Sequence, residues 1–117
     1  HAALLHKVRL LSPTAMPALR VLEMATLNGA KAMGQQDSLG SLEVGKLADI
    51  AILDFKRLRS SPHTERDPVA LVVYAATSHN VTHTIVNGRI LLREGRHTTL
   101  DVQETLSEAE RVCPHIQ

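Results

Sequence analysis

Seven histidines are the residues with the clearest capacity for chemistry, because imidazole is both a metal ligand and an acid–base group. His79 and His83 are four residues apart, a spacing that suits a zinc ion when both lie on a helix. The run 81–86 is β in character, however, and four residues of a strand span about 13 Å, too far for one ion. His1 and His6 point in different directions on a helix. The histidines therefore predict no metal site in this chain.

Motifs for nucleotide binding and nucleophilic catalysis are incomplete. Residues 40–46 come within one position of a phosphate-binding P-loop, but Leu47 stands where the motif needs Ser or Thr. This segment also opens a strand, whereas a P-loop follows a strand and opens a helix. The carboxylates of Asp49, Asp54 and Asp67 are better explained as strand-edge and N-cap residues. The sequence thus nominates no catalytic, cofactor-binding or metal-binding residue.

Composition narrows the class of protein. The 117 residues suit one domain, and the apolar fraction of 44% is that of a globular protein. A net charge of +1 with mixed signs, and aromatics at 2%, argue against a nucleic-acid partner. No apolar run approaches the length of a membrane span. The single cysteine, Cys113, fits a reducing cytosol, so we expect a cytoplasmic protein.

Helical periodicity is found in five segments. The first segment has no capping residue before it, which leads us to expect that its helix begins upstream. Asp67 before Pro68 marks one helix start, and Asp101 marks another. The predicted helices span residues 1–11, 17–26, 29–33 and 67–76, with a last helix starting at residue 101.

Three strands are visible. Residues 48–54 are predicted to form a strand, and the nearly continuous apolar run within it, residues 50–53, predicts burial on both faces. Asn87–Gly88 predicts a hairpin over 81–94, in which Val86 lies opposite Arg89 and Ile85 opposite Ile90. One face of this hairpin is expected to hold Val81, His83, Ile85, Ile90 and Leu92. Three strands with one doubly buried member need further structure to cover them.

One stretch resembles a known family. Residues 40–50 read Gly-x-Leu-x-x-Gly-Lys-x-Ala-Asp-Ile, and together with residues 24–34, 67–76 and 81–88 they resemble the C-terminal part of the amidohydrolase superfamily. The similarity is to methylthioadenosine/S-adenosylhomocysteine deaminases, guanine deaminases and triazine chlorohydrolases, and it covers nearly the whole chain.

The resemblance implies an α+β C-terminal portion of a metal-dependent hydrolase. Residues 1–34 would be the last helices of a (β/α)₈ barrel, with the small residues 29–32 facing the barrel wall. Residues 35–117 would be the sheet-containing share of a composite β-sandwich, with trailing helices that include a C-terminal helix. The parent enzyme would use zinc or iron to hydrolyse a C–N or C–Cl bond of a heterocycle. Its ligands and acid–base residues lie upstream, so none is carried over to this chain.

Two readings of the function remain open. The chain is either a portion of such a hydrolase that is inactive alone, or a stand-alone, non-enzymatic binding and assembly module. In the first case its partner is a missing N-terminal barrel portion, and in the second it is another copy of itself.

Overall fold

Five α-helices and a four-stranded antiparallel sheet make up the described part of the chain. The structure is a computed structural model that describes residues 1–55 and 67–113. A loop was expected over 56–66, outside these ranges. The α+β class is confirmed. The helices are α1 (Ala2–Leu10), α2 (Ala18–Ala25), α3 (Leu27–Ala32), α4 (Pro68–Tyr74) and α5 (Val102–Val112), with a 3-10 turn at Ser78–Asn80. The strands are β1 (Ile50–Leu53), β2 (Val81–Val86), β3 (Arg89–Arg93) and β4 (Arg96–His97).

The helix starts follow the capping signals. His1 gives α1 no side-chain cap. Asp67 caps α4 by accepting the backbone N–H of Val69 at 2.9 Å, and Asp101 caps α5 by accepting the N–H groups of the residues at 103 and 104. One predicted boundary is wrong, because α3 begins at Leu27 immediately after a single break at Thr26.

The hairpin is confirmed at its turn and corrected further along. Val86 lies opposite Arg89 and Ile85 opposite Ile90, but the register then shifts, so that Leu92 opposes Thr84. An extra residue on one strand sends the following side chains to the other face. Ile90 lies on the predicted face with Ile85, whereas the prediction that Leu92 shares that face is wrong.

A fourth strand adds to the three that were expected. Glu94 and Gly95 both have positive φ, 50° and 79°, as do Asn87 and Gly88 at the first turn. Such left-handed pairs match the twist of the flanking strands and close two-residue hairpins. The second turn folds β4 back onto β3, with Arg96 opposite Arg93.

Strand β1 is not buried on both faces, contrary to the prediction. It stands at the edge of the sheet and pairs with β2 within the described ranges. The side chain of Ile52 is 45% exposed, and Ala51 is exposed as well. The apolar run is real, but no described element covers the outer side of this strand.

The described residues form a small core and leave much apolar surface in contact with solvent. Helix α2 packs against α3 and α4, yet Ala3 and Ala30 are the buried apolar residues. The accessible surface is 9766 Å², against about 6,300 Å² for a folded monomer of this mass. The radius of gyration of 17.9 Å likewise exceeds the roughly 13 Å expected for a domain of this length. In residues 1–55 and 67–113 no helix has the length and apolarity needed to cross a bilayer.

Candidate functional site

Within the part of the chain that the structure describes, two concave surfaces are considered as candidates for a functional site. The first is a polar groove of about 890 Å³ at the end of the sheet where β3 turns into β4. We call it the polar groove. Its lining brings together residues of β2, β3 and β4 and of the segments next to the strands, namely Asp54, His79, Val81, Thr82, His83 and residues 93–98.

The histidines of the polar groove do not form a metal site. His83 is half-buried on β2, and its Nδ1 lies 3.1 Å from the hydroxyl oxygen of Thr82. His79 and His97 are exposed. Among the residues that the structure describes, no three His, Cys, Asp or Glu side chains converge well enough to hold an ion. A catalytic zinc site needs three protein ligands, so these described residues do not fit the metal that the resemblance implies for the parent enzyme.

The second concave surface is an apolar hollow of about 460 Å³ between α2, α3, the loop at 39–42 and β1. Its floor includes Ala30, which is 3% exposed. A Cβ placed on Gly40 would lie 2.9 Å from the Cβ of Ala30. At Ala30 the small-residue patch therefore accommodates the close approach of a loop of the same chain. The hollow carries Asp49 as its one carboxylate within the described lining.

The P-loop-like segment is a self-contained turn. Lys46, whose side chain is 15% exposed, donates from Nζ to the carbonyl oxygen of Gln36 at 3.0 Å and to Ser41 Oγ at 2.7 Å. Ser41 in turn donates to the carboxylate of Glu43. The ammonium group of Lys46 thus forms its hydrogen bonds within its own loop, which disfavours a role in binding phosphate.

The same turn lowers the pKa of Glu43 below its ordinary value of 4.5. The hydrogen bond from Ser41 is the main cause, and the charge of Lys46 adds to it. Because the folded pKa lies below the unfolded one, this carboxylate favours the folded state at pH values above the unfolded pKa. That contribution disappears as the pH falls through the folded pKa.

Removing the hydroxyl of Ser41 tests this arrangement. We expect Ser41→Ala to raise the pKa of Glu43 toward its ordinary value, because the main stabilising hydrogen bond to the carboxylate is lost. An NMR titration of the Glu43 side-chain carboxyl measures it. Ser38→Ala is the matched control, since that hydroxyl bonds to the carbonyl of Gln35. An unchanged pKa for Glu43 in Ser41→Ala would contradict the assignment.

The arginines of the polar groove were missed at the level of sequence. Arg93 and Arg96 meet because β4 folds back, and the signal for this was the Glu94–Gly95 pair between two arginines. A two-residue turn ending in glycine is a recognised hairpin signal. Asn87–Gly88 is the stronger turn signal of the two, because asparagine adopts a positive φ more readily than glutamate does.

Comparison with known sequences gives consistent matches. Residues 1–91 match the family described as "Amidohydrolase family". The chain is 39% identical over 115 residues to 5-methylthioadenosine/S-adenosylhomocysteine deaminase of Syntrophobacter fumaroxidans, covering 98% of this chain and 26% of that protein. It is 45% identical over 115 residues to 5'-deoxyadenosine deaminase of Methanothermobacter thermautotrophicus, with the same coverage. The chain thus spans about a quarter of the length of these curated relatives.

Solved structures give the same grouping. An adenosine deaminase from Xanthomonas campestris with bound zinc superposes with a TM-score of 0.86 at 34% identity, covering 94% of this chain and 25% of that one. Atrazine chlorohydrolase from Arthrobacter aurescens, complexed with zinc, gives a TM-score of 0.71 at 29% identity, covering 86% of this chain and 21% of that one. The fold and the family match over residues 1–91 agree: the chain belongs to the amidohydrolase family.

Proposed function

We propose that this chain is the C-terminal portion of a metal-dependent hydrolase that deaminates adenine nucleosides. In this proposal its own task is structural, and it is not catalytic alone. Residues 1–34 supply the last helices of the barrel and residues 35–117 supply a share of the adjoining sandwich. The metal, zinc or iron, is held by residues outside this chain and supplies the hydrolytic chemistry there.

The observation that carries the proposal is the extent of the match. Nearly all of this chain, 98%, corresponds to 26% of each deaminase. The matched part makes up 25% and 21% of the two solved relatives that bind zinc. The absence of a metal-binding trio among the described residues is compatible with a share of the enzyme that contributes no ligands.

The surface supports a role in packing against other structure. Helix α1 exposes a row of apolar side chains, among them Val8 at 72%. Helix α5 is exposed along its whole length, although Leu106 and Val112 are apolar. Exposing the apolar side chains of these two helices to water is unfavourable, because burying them would contribute about 25 cal/mol of free energy for each Å² of apolar surface. Covering these faces with the remainder of a larger protein removes that cost.

A second candidate function rests on the same surface. Self-association would also cover the exposed apolar side of α1 and the edge of β1 that pairs with no strand of residues 1–55 and 67–113. In that case the chain is an assembly module without activity. The two candidates differ in what the chain does when it is joined to a deaminase.

A chimera separates them. The aligned quarter of the Methanothermobacter thermautotrophicus deaminase is replaced by this chain, and ammonia release from 5'-deoxyadenosine is measured. We expect the chimera to keep at least about a tenth of the kcat/KM of the natural enzyme, because 1.4 kcal/mol of misfit corresponds to a tenfold loss. The 117-residue chain alone, with added zinc, is expected to release none.

Two controls define the result. The deaminase truncated before the aligned segment is expected to be inactive, because its barrel and sandwich are left uncovered. An inactive but folded and zinc-loaded chimera would contradict the structural role. Light scattering on the chain alone completes the comparison: a discrete, stable oligomer together with an inactive chimera would favour the assembly module.

A further inference from the structure

The tip of the β2–β3 hairpin carries an asparagine followed by a glycine, the dipeptide with the least hindered route to a cyclic imide. Asn87 and Gly88 are the central residues of the two-residue turn, with positive φ values of 47° and 76°. Asn87 is exposed, and a Cβ on Gly88 would meet no heavy atom of residues 1–55 and 67–113 within 4 Å. Asparagine is also one of the thermally labile residues of proteins. This turn is therefore open to water and suited to chemical modification.

The reaction needs the chain and water alone. The backbone nitrogen of Gly88 loses its proton and attacks the side-chain carbonyl carbon of Asn87. A C–N bond forms between them, and the side-chain amide nitrogen leaves as ammonia. Water then opens the resulting succinimide ring at either of its carbonyl groups, which gives aspartate or isoaspartate. No electron is transferred, and the net change replaces an amino group by a hydroxyl group.

Two hydrogen bonds hold the hairpin tip closed against this reaction. Gly88 donates its N–H to the carbonyl oxygen of Ala48 at 3.0 Å. Asn87 donates its N–H to Oδ1 of Asp49 at 2.6 Å, and a carboxylate is the stronger class of acceptor. Ala48 and Asp49 directly precede β1, so the tip is fastened to the start of the neighbouring strand. The attacking nitrogen keeps its proton paired until this contact opens locally.

We propose that Asn87 is a deamidation site of this chain and that Asp49 controls its rate by holding the turn closed. The rate then equals the intrinsic rate of the dipeptide multiplied by the fraction of chains in which the tip is detached from β1. Either product carries a negative charge on the residue whose N–H Asp49 accepts, and repulsion between the two charges weakens the contact further. The inference does not depend on the proposed function, since both sides of the contact lie in this chain.

Peptide mapping by mass spectrometry measures the reaction in the 117-residue chain. Asn28–Gly29, the same dipeptide at the start of α3, is an internal reference. At mildly alkaline pH, with trimethylamine N-oxide to strengthen the folded state, we expect Asn87 to deamidate at least about tenfold more slowly than in urea. In urea the two dipeptides are expected to react at similar rates. Equal rates at Asn87 in the folded and the urea-unfolded chain would overturn the proposal.

Asp49→Ala tests the contact itself. We expect this variant to deamidate Asn87 at least about tenfold faster than the wild type, the factor expected when a hydrogen bond to a charged acceptor is lost. Asn28 is expected to keep its wild-type rate, because only the hairpin tip is released. Asp37→Ala is the matched control, since Asp37 is an exposed carboxylate in the turn before the loop at 39–42.

A second variant and a second measurement cover the case in which Asp49→Ala unfolds, which acceleration at Asn28 would reveal. Asp49→Asn keeps an oxygen acceptor without the charge, so we expect Asn87 to react faster than in the wild type and more slowly than in urea. Hydrogen exchange at the Gly88 amide is expected to accelerate by the same factor as deamidation. Unchanged rates at Asn87 in both variants, or equal acceleration in Asp37→Ala, would contradict the role of Asp49.

Discussion

Replacing Gly40 by alanine is expected to lower the free energy of unfolding by about 3 kcal/mol, the sum of overpacking and backbone strain. The added Cβ would lie 2.9 Å from the Cβ of Ala30 and 3.1 Å from both the Cα of Leu27 and the carbonyl oxygen of Thr26. Two of these atoms are backbone, so the neighbours cannot rotate away. The φ of +92° at Gly40 adds a conformation that L side chains rarely adopt.

Gly45→Ala is the matched control for this substitution. Gly45 has a similar φ of +96°, but a Cβ there would meet no heavy atom within 4 Å. We expect it to cost about 1 kcal/mol, from backbone strain alone. Urea titrations followed by circular dichroism, in a fixed concentration of trimethylamine N-oxide that strengthens the folded state, give both values. Equal losses at the two glycines would mean that the contact with α3 contributes nothing.

The family-like pattern at residues 40–50 is explained by packing. Gly40 allows the loop to approach α3, and Lys46 ties the turn together. Asp49 then accepts the backbone N–H of Asn87 at 2.6 Å, which holds the tip of the β2–β3 hairpin against the start of β1. The motif therefore joins the helices to the sheet. Because the motif serves packing, it indicates the family of the chain but not a substrate.

Signals that act within a few residues were readable from the sequence. Asp67 and Asp101 as caps and Asn87–Gly88 as a turn depend on local backbone geometry alone, and all are found as predicted. The burial of β1 and the register beyond Thr84 depend on neighbours distant in the chain, and there the predictions are wrong. A hydrophobic pattern indicates that a strand is suited to burial, but it does not indicate whether another element packs against it.

The polar groove could not be predicted for the same reason. Its lining comes from the segments around Asp54, His79 and His83 and from the second hairpin, and these are joined only by strand pairing. Each histidine read in isolation is an ordinary polar residue. Arg93 and Arg96 are neighbours because the turn at Glu94–Gly95 folds β4 onto β3. A prediction that lacks this hairpin therefore also lacks this side of the groove.

The second large effect is expected at Asn80, the buried polar residue that joins β1 to β2. Its side chain is 8% exposed, and its Nδ2 donates to the carbonyl oxygen of Asp54 at 3.0 Å. Its Oδ1 accepts the backbone N–H of Thr77 at 2.9 Å and the hydroxyl of the same residue at 3.2 Å. The backbone pairs as well, since the N–H of Asp54 donates to the carbonyl oxygen of Asn80 at 2.8 Å. The side-chain amide of Asn80 thus forms hydrogen bonds both to Thr77, before β2, and to Asp54, after β1.

Asn80→Asp is expected to lower the free energy of unfolding by about 3 kcal/mol at neutral pH, because a buried carboxylate oxygen would face the carbonyl oxygen of Asp54 without a donor between them. The introduced carboxyl would have a raised pKa in the folded state. Its penalty is therefore complete above that folded pKa, declines as the pH falls through it, and vanishes below the unfolded pKa, where the protonated group can donate to the carbonyl.

Urea titrations of Asn80→Asp near pH 7 and near pH 4, under the same osmolyte conditions, measure this dependence. Asn28→Asp is the matched control, because Asn28 is exposed near the start of α3, and there we expect a change within about 0.5 kcal/mol. The decisive quantity is the difference between the two variants at each pH. A loss at Asn80→Asp that is the same at both pH values would show that the lost donor is not the cause. The joint between β1 and β2 would then depend on the backbone bond from Asp54 rather than on the amide.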